Sequence, residues 1–590
     1  MYKKIFILFL ALFHLNVFAL TEAPIDITNM DITAISDALD KKIITNENLI
    51  KIYLERIEKY NDKYNALITV NDNAISEAQK LDEERANGNV RSILHGIPII
   101  VKDNIDALNM PTTDGSKNLS DNYPIKDAEA IKKLKAAGAI IIAKSNMSKY
   151  AFYASSSTSD FGTVKNAYNI KYSSYGSSGG SAVSIALNFA VAALGTDTNS
   201  SVRLPASANS LVGYRPTLGL ISTDGVVPYD PERDTIGTIT KNVKDALILT
   251  NIMTDENKIN EEEYDLTNLK IGVPKSFIEG DDSNTLPENK LINEEVKKLI
   301  LSAIEKIEKA GAKIIYIDDY YTISKDNEVA KSYSGYLFCD SFDKYISNHT
   351  GTIKTFSELA EKDKSLENYN SECNTTKTLD EKNNIKYSYS QYIGNLYNEN
   401  DIDIIMYPSS KNKLLKIGTS GLINLSAHAS STINYPAITI PMGYDNDNLP
   451  YGLEIMTKTG KDTKLLSIAA SLEKLNMTEN KSAEPSLYEV NAETTKLINR
   501  YKNRYNKDNM FLMRKWMNKS KAFLENYNDI KNKSQEAKEI NNLYTIYLIL
   551  TFILKIIFSI LTLIFLLIIL LLVRKSKIKT KKRRKSSKSI

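Results

Sequence analysis

Two serine-rich turns near the middle of the chain carry residue types that nucleophilic chemistry uses. They lie in the stretch Tyr175–Pro205, which reads YGSSGGSAVSIALNFAVAALGTDTNSSVRLP, and an apolar segment separates them. Such a segment can bring both turns to the same edge of one core. A further polar group, Lys102, follows the apolar run Ile97–Val101, which is typical of a buried strand. Strand ends are where α/β folds place their chemistry, although a solvated strand end and flexible surface loops have the same composition.

The spacing of the polar residues disfavours several common types of site. The first turn could hold an anion where a helix starts near Ser181. It lacks the Lys-Ser/Thr of a P-loop. After residue 19 the histidines are His95, His349 and His428, none of which adjoins a serine-rich turn or a His/Cys cluster. The sequence therefore disfavours a Ser-His-Asp triad, and it predicts neither a metal nor a cofactor.

Both ends of the chain differ in composition from a globular core. Residues 1–19 predict a signal peptide, with an uncleaved anchor as the alternative, because two lysines precede a short apolar run and small residues. Residues 543–573 predict a transmembrane segment, with a buried core helix as the alternative, because 18 uncharged residues follow one another at 556–573. The tail 574–590 contains ten Lys and Arg and no acid, which places it on the cytoplasmic side.

These ends predict a single-pass protein of the cytoplasmic membrane, with its catalytic domain outside and its basic tail on anionic lipid inside. The formal net charge is +4, so the chain without its tail is acidic on balance, which disfavours nucleic acid as a partner. Residues 486–542 are charged and helical in character, and predict either a stalk or a helix packed on the core. Cys339 and Cys373 would lie in an oxidising compartment, where their pairing stays open.

The order of predicted elements indicates an α/β fold with a mixed or parallel sheet. The predicted helix Asp127–Ala137 ends at Gly138, and the predicted buried strand Ala139–Ala143 follows it directly. Other predicted elements are two helical segments in Asp31–Tyr60, the second capped by Thr45, the helices Ala74–Arg85 and Glu294–Ala310, and the strands Ala66–Val70, Leu269–Pro274 and Ala312–Ile317.

Motifs from about Asp31 to Leu472 resemble the amidase signature family, apart from a divergent insert at about 261–378. The resemblance implies a large mixed β-sheet core covered by helices on both faces, here in a catalytic domain at 20–485. The motifs are HGIPIIVKDNID (His95–Asp106), TTDGS (Thr112–Ser116), GAIIIAKSNMSKYAF (Gly138–Phe152), GSSGGSAVSIA (Gly176–Ala186), LGTDTNSSVRLPAS (Leu194–Ser207), GYRPTLG (Gly213–Gly219), NYPAITIPMG (Asn434–Gly443) and PYGLE (Pro450–Glu454).

The resemblance also implies a catalytic role for three residues. The family uses a lysine, a serine in a cis peptide bond and a nucleophilic serine, and these match Lys102, Ser177 and Ser201. Ser201 would attack an amide carbonyl, Ser177 would relay its proton, and Lys102 would accept the proton and return it to the leaving amine. Lys102 can do so only when neutral, and burial lowers the pKa of a lysine in that direction. The bond between Gly176 and Ser177 would be cis.

One departure from the family lies beside the nucleophile. Two glycines usually precede the catalytic serine, whereas Asn199 and Ser200 stand there in this chain. Asn tolerates positive φ and Ser does so less readily, so the oxyanion hole is expected to be narrower or reshaped. The backbone N–H groups expected to form that hole belong to Thr198, Asn199, Ser200 and Ser201.

The predicted function is a membrane-anchored extracytoplasmic amidase that hydrolyses a carboxamide or peptide-amide bond without a cofactor. Ser178, Asp197 and Arg203 would support its turns, and Arg203 is also a candidate for a substrate carboxylate. One alternative is the glutaminase subunit of a tRNA-dependent amidotransferase, which shares these motifs; export and an anchor argue against it, since its partner and tRNA are cytosolic. The other is a surface-binding protein that keeps the fold. The intact lysine and serines argue against that reading, while the Asn-Ser departure leaves it open.

Overall fold

A mixed sheet of eleven strands runs through the described part of the protein. Its spatial order is β1-β3-β2-β6-β8-β7-β12-β13-β11-β9-β10, and β4 pairs only with β5. Strand β2 is parallel to both β3 and β6, so the carboxyl ends of these three central strands lie at one edge. The strands are β1 Leu67–Val70, β2 Pro98–Lys102, β3 Ile140–Ser145, β4 Thr158–Ser159, β5 Gly162–Thr163, β6 Ala192–Asp197, β7 Val212–Arg215, β8 Thr235–Thr240, β9 Lys270–Pro274, β10 Lys313–Ile317, β11 Ile404–Pro408, β12 Ala437–Tyr444 and β13 Pro450–Met456.

The computed structural model describes residues 27, 30–254, 259–260, 262–279, 292–318, 320, 335–367, 373, 379–419, 428–478 and 483. They fall within one compact unit, Ile27–Ser486. The described α-helices are α1 Ile32–Asp40, α2 Asn46–Tyr64, α3 Ala74–Ala86, α4 Glu129–Ala136, α5 Gly179–Ala186, α6 Arg203–Ser207, α7 Val243–Met253, α8 Ser276–Glu279, α9 Glu294–Lys309, α10 Gly335–Ile346, α11 Phe356–Lys362, α12 Leu379–Glu399, α13 His428–Thr432 and α14 Asp462–Glu473.

Helix ends follow the local signals in the sequence. The predicted N-cap of α2 is confirmed, because the Thr45 side chain accepts a hydrogen bond from the Asn48 N–H at 3.2 Å. The same helix ends at Asn65 with a φ of 54°. Gly138 follows α4 with a φ of 94°, where its missing Cβ matters because it would lie 2.8 Å from the His95 Cα. The remaining predicted elements agree with the structure to within a few residues at their ends.

Apolar residues cover both faces of the sheet, as strand β11 shows. Ile404 and Met406 join a core cluster with residues of α9 and α14. The alternating residues Ile405 and Tyr407 join a second cluster with residues of α12. Because side chains alternate across a strand, helices lie on both faces there. The α/β fold with a large mixed sheet is therefore confirmed.

The region predicted to be a variable insert contributes a small helical layer. Cys339 of α10 and Cys373 form a disulfide with a Cα–Cα distance of 5.9 Å, a pairing that the sequence left open. Phe338, Phe342 and other apolar residues of this layer form a cluster with Tyr150 and Val227. The layer therefore packs against the segments that contain Tyr150 and Val227.

Loss of this disulfide is expected to destabilise the helical layer. The bond closes a loop of 34 residues, for which chain entropy predicts about 3 to 4 kcal/mol of stabilisation. Cys339→Ser and Cys373→Ser should each lower the melting temperature measured by calorimetry under non-reducing conditions. With a reducing agent the wild type should approach the variants. Equal melting temperatures in the absence of reductant would contradict the prediction.

Four predicted segments lie outside the described residues: the signal peptide 1–19, the stalk 486–542, the transmembrane segment 543–573 and the tail 574–590. Within the described ranges, every helix is too short or too polar to cross a membrane.

Candidate active site

Lys102 lies at the carboxyl end of β2 and is fully buried. Its Nζ donates hydrogen bonds to the Ser177 Oγ at 2.6 Å and the Thr196 Oγ1 at 2.7 Å. Burial lowers the pKa of Lys102 to about 7, although three nearby aspartates oppose that change. A lysine with this pKa is partly neutral near pH 7, and in the neutral form its nitrogen is able to accept a proton.

Ser177 occupies the position that the resemblance implied. The peptide bond between Gly176 and Ser177 is cis, which confirms that expectation. Only glycine fits at position 176, because a Cβ there would lie 2.5 Å from the Tyr153 carbonyl oxygen and 2.6 Å from that of Ser156. The Ser177 carbonyl accepts a hydrogen bond from the Ser148 N–H at 3.1 Å. The surrounding backbone thus fixes the Ser177 hydroxyl against Lys102.

Ser201 belongs to the turn between β6 and the short helix α6. The Ser178 N–H donates a hydrogen bond to the Ser201 carbonyl at 3.1 Å, which joins the two serine-rich turns directly. Lys102 and Ser177 are fully buried, whereas Ser201 is 8% exposed. Of the three, Ser201 is therefore the one that solvent can reach.

The turn before Ser201 presents main-chain N–H groups without partners. Among the described residues, the N–H groups of the four residues from Thr198 to Ser201 donate no hydrogen bond. Neither Asn199 nor Ser200 has a positive φ, so the turn does not need the glycines that the family usually has. Free N–H groups that converge in one turn are suited to stabilising an oxyanion.

Asn199 is held from three directions. Its carbonyl accepts hydrogen bonds from the Arg203 guanidinium at 2.7 Å and the Ser431 hydroxyl at 3.0 Å. Its side-chain Oδ1 accepts one from Arg233 at 2.9 Å. The contact with Arg233 uses a side chain that glycine lacks, and it adds to the two contacts on the main-chain carbonyl.

A buried ionic cluster supports the turn from below. The Arg203 Nε donates to Asp197 at 3.1 Å, and Arg203 also contacts Glu454. Burial would raise the pKa of Asp197, but Arg203 and Arg215 outweigh it and lower that pKa to about 2. Arg203 is fully buried among these groups, an arrangement that suits support of the turn rather than contact with a substrate carboxylate.

Sequence reasoning missed two polar neighbours of the site. Thr196 bonds Lys102 and also accepts from the Asn104 amide at 3.0 Å. Asp234, at the edge of β8, accepts a hydrogen bond from the Thr198 hydroxyl, and burial raises its pKa to about 6. Thr196 stands in the LGTDTNSSVRLPAS motif near the end of its strand. The alternation of side chains along β6 was therefore the signal that could have placed Thr196 in the site. Asp234 lies outside every motif and gave none.

Replacement of Thr196 by valine should lower kcat/KM roughly tenfold, because Lys102 loses one of its two shortest hydrogen bonds without a change in side-chain shape. Steady-state rates on an amide that the wild type hydrolyses would measure the loss, with circular dichroism as the check of folding. A folded variant with the wild-type rate would contradict the prediction.

Comparison with known proteins matches residues 48–466 to the family model described as Amidase. A glutamyl-tRNA(Gln) amidotransferase subunit of Clostridium acetobutylicum is 31% identical over 491 residues, which cover 76% of this chain and 99% of that protein. The corresponding subunit of the enzyme from Methanosarcina mazei is 32% identical over 470 residues, covering 72% and 93%.

Solved structures give a similar result. The peptide amidase from Stenotrophomonas maltophilia superposes with a TM-score of 0.68 at 25% identity, covering 77% of this chain and 98% of that one. The glutamyl-tRNA(Gln) amidotransferase subunit from Thermotoga maritima superposes with a TM-score of 0.62 at 26% identity, covering 76% and 96%.

These findings contradict the localisation predicted from the chain ends, which was a single-pass protein of the cytoplasmic membrane with its catalytic domain outside and its tail inside. The described helices include no membrane span, and the relatives are named as subunits of an enzyme named for glutamyl-tRNA(Gln). That localisation and the lipid bilayer as a partner are not retained. The prediction rested on the composition of the end segments, which lie outside the described residues.

Proposed function

The chain belongs to the amidase family, and on that premise we propose that it is the glutaminase subunit of a tRNA-dependent amidotransferase. The relatives named for glutamyl-tRNA(Gln) are matched over almost their whole length. The observation that carries the chemistry is the 2.6 Å hydrogen bond from the Lys102 Nζ to the Ser177 Oγ at the joined serine turns. The substrate would be the carboxamide of glutamine, and the products would be glutamate and ammonia.

The reaction would begin as Ser201 attacks the amide carbon. Its hydroxyl proton passes to Ser177, which gives its own proton to the neutral Lys102 nitrogen. The carbonyl oxygen becomes an oxyanion, which the free N–H groups of the turn 198–201 stabilise. Lys102 then returns the proton through Ser177 to the leaving nitrogen, and ammonia departs. Water hydrolyses the acyl-serine by the same proton path in reverse.

We assign to this chain the release of ammonia, and to its partner subunits the transfer onto glutamyl-tRNA. The acidic balance of the chain without its tail suits that division, because tRNA binding needs a basic surface. Export and an anchor were the arguments against this function, and the localisation built on them is not retained.

A second candidate is a peptide amidase. The solved peptide amidase superposes on this chain with a TM-score of 0.68, against 0.62 for the protein from Thermotoga maritima. The same serine chemistry would then release ammonia from the amidated end of a peptide.

Two assays distinguish the candidates. The first compares ammonia release by the full chain from L-glutamine and from an amidated dipeptide, with Ser201→Ala as the blank. The second adds the chain to a Clostridium acetobutylicum amidotransferase from which the homologous subunit has been removed, and measures glutamine-dependent formation of Gln-tRNA(Gln). Glutamine hydrolysis together with restored amidation is the expected result. Hydrolysis of the peptide amide without restoration would overturn the glutaminase proposal in favour of the second candidate.

A further inference from the structure

Asp114 is a buried acid beside the site that the proposed reaction does not use. It is 2% exposed and lies in the TTDGS motif. Its N–H donates to the Asp103 carbonyl at 3.2 Å, and its own carbonyl accepts from the Tyr150 N–H at 2.9 Å. Its side-chain Oδ1 has no hydrogen-bond partner among the described residues. A buried carboxyl oxygen without a partner is costly, so its position needs a reason.

The charge on Asp114 acts on Lys102. The negative charges of three aspartates raise the pKa of Lys102, and Asp114 has the largest influence, ahead of Asp197 and Asp234. The main-chain hydrogen bond from Asp114 to Asp103 holds Asp114 beside the residue that follows Lys102. Asp197 is bound to two arginines, and Asp234 accepts from the Thr198 hydroxyl and two main-chain N–H groups. Among the described residues, Asp114 is thus the one of the three whose buried side-chain oxygen Oδ1 has no hydrogen-bond partner.

Two other charged groups and two tyrosines lie around Asp114. Asp103 and Lys144 face it and form an ion pair with each other at 3.3 Å. The charge of Asp114 also contributes to raising the pKa of the Tyr150 and Tyr345 hydroxyls. Burial raises the pKa of Asp114 to about 8, while Lys102 opposes that rise. The protons of two groups that interact in this way are lost in two steps, and both steps belong to the pair.

We propose that Asp114 is a positioning residue for Lys102, whose carboxylate stabilises the ammonium that forms when the Ser201 proton arrives. This inference rests on the proposed serine chemistry. Once both groups have lost their protons, the resting pair is an amine and a carboxylate. Proton transfer from Ser201 through Ser177 converts it into an ammonium and a carboxylate, and return of the proton to the leaving nitrogen restores the resting pair. Asp114 neither gains nor loses a proton in the cycle.

The test is the pH dependence of labelling of the full chain by a fluorophosphonate. In that step a bond forms between the Ser201 oxygen and phosphorus, fluoride leaves, and the hydroxyl proton goes to Lys102. Asp114→Asn and Asp114→Gly both remove the charge, and both residues tolerate the φ of 51° at this position. The matched control is Asp245→Asn, which removes a buried carboxylate that accepts from the Ile32 N–H.

The acid limb is the low-pH part of the profile, in which the labelling rate rises with pH. We expect this limb to move to lower pH by about one unit or more in both Asp114 variants. We also expect the plateau rate to fall roughly tenfold, which is the usual cost of removing a group that is hydrogen-bonded or paired to a charge. The direction follows because removal of a negative charge lowers the pKa of Lys102. Asp245→Asn should lower stability and leave the limb in place. The wild-type limb should depend on two protons, and those of the Asp114 variants on one.

Failure of this inference differs from failure of the proposed function. If the wild type is labelled on Ser201 and the limb stays in place in a folded Asp114 variant, Asp114 has only a structural role. If both variants fail to fold, a one-proton limb in the wild type overturns the inference. If the wild type itself is not labelled, the serine mechanism fails and the inference fails with it.

Discussion

Replacement of Lys102 by methionine is expected to lower kcat/KM roughly 10⁴-fold, the upper range for loss of a general base. Methionine keeps the length of the buried side chain, but it leaves Ser177 without the nitrogen that takes its proton. The acid limb of the wild-type profile, which reflects loss of protons from Lys102 and Asp114, should disappear from the residual activity. Rates between pH 5 and pH 10, on the amide that the wild type hydrolyses, would measure both effects.

Lys144 offers the matched control for this variant. It is also a fully buried lysine, on the neighbouring strand β3, and it pairs with Asp103 instead of a serine. Lys144→Met should lower the melting temperature because it leaves a buried carboxylate unpaired, while the folded fraction keeps its acid limb. A loss of the limb in both variants, or in neither, would contradict the assignment of Lys102 as the base.

Local patterns in the sequence were enough to predict much of the fold and the candidate residues. The apolar run before Lys102 and the helix-Gly-strand order around Gly138 gave the parallel strands β2 and β3, with ends shifted by one or two residues. Lys102 proves to be the last residue of its strand rather than the first after it. These features depend on near neighbours in the chain, which is why composition and period could predict them.

Contacts between distant segments could not be predicted in the same way. Thr196 meets Lys102 through the parallel register of β2 and β6, in which Val101 pairs with Leu194. No period in the sequence fixes that register. Asp114 and Asp234 reach the site from loops, where position depends on the surrounding fold. The disulfide stayed open for the same reason, since its loop length alone permits either outcome.

The departure at Asn199 and Ser200 does not depend on a positive φ. The sequence suggested a reshaped hole because glycines in such turns often have positive φ. Both residues have negative φ here, and the Asn199 side chain bonds Arg233. We therefore interpret the Asn-Ser pair as a second way to hold a turn that still presents free N–H groups.

Replacement of Ser201 by alanine is expected to have the largest effect of any single change, a loss of roughly 10⁵- to 10⁶-fold in kcat. The acyl-serine cannot form without the hydroxyl, so the two-step route through a covalent intermediate is closed. Binding should survive, because the free N–H groups of the turn and the support from Asp197 remain. A substrate amide should therefore bind Ser201→Ala with an affinity close to the wild-type KM, as isothermal titration would measure.

The control for Ser201→Ala is the same substitution at a buried serine away from the site. Ser467 on α14 is buried, and its Oγ has no hydrogen-bond partner among the described residues. Ser467→Ala should keep full activity and gain slightly in stability, since a buried hydroxyl without a partner is lost. Substantial turnover by a pure, folded Ser201→Ala protein would mean that another group carries the nucleophile. The proposed serine chemistry and the glutaminase function built on it would then both have to be abandoned.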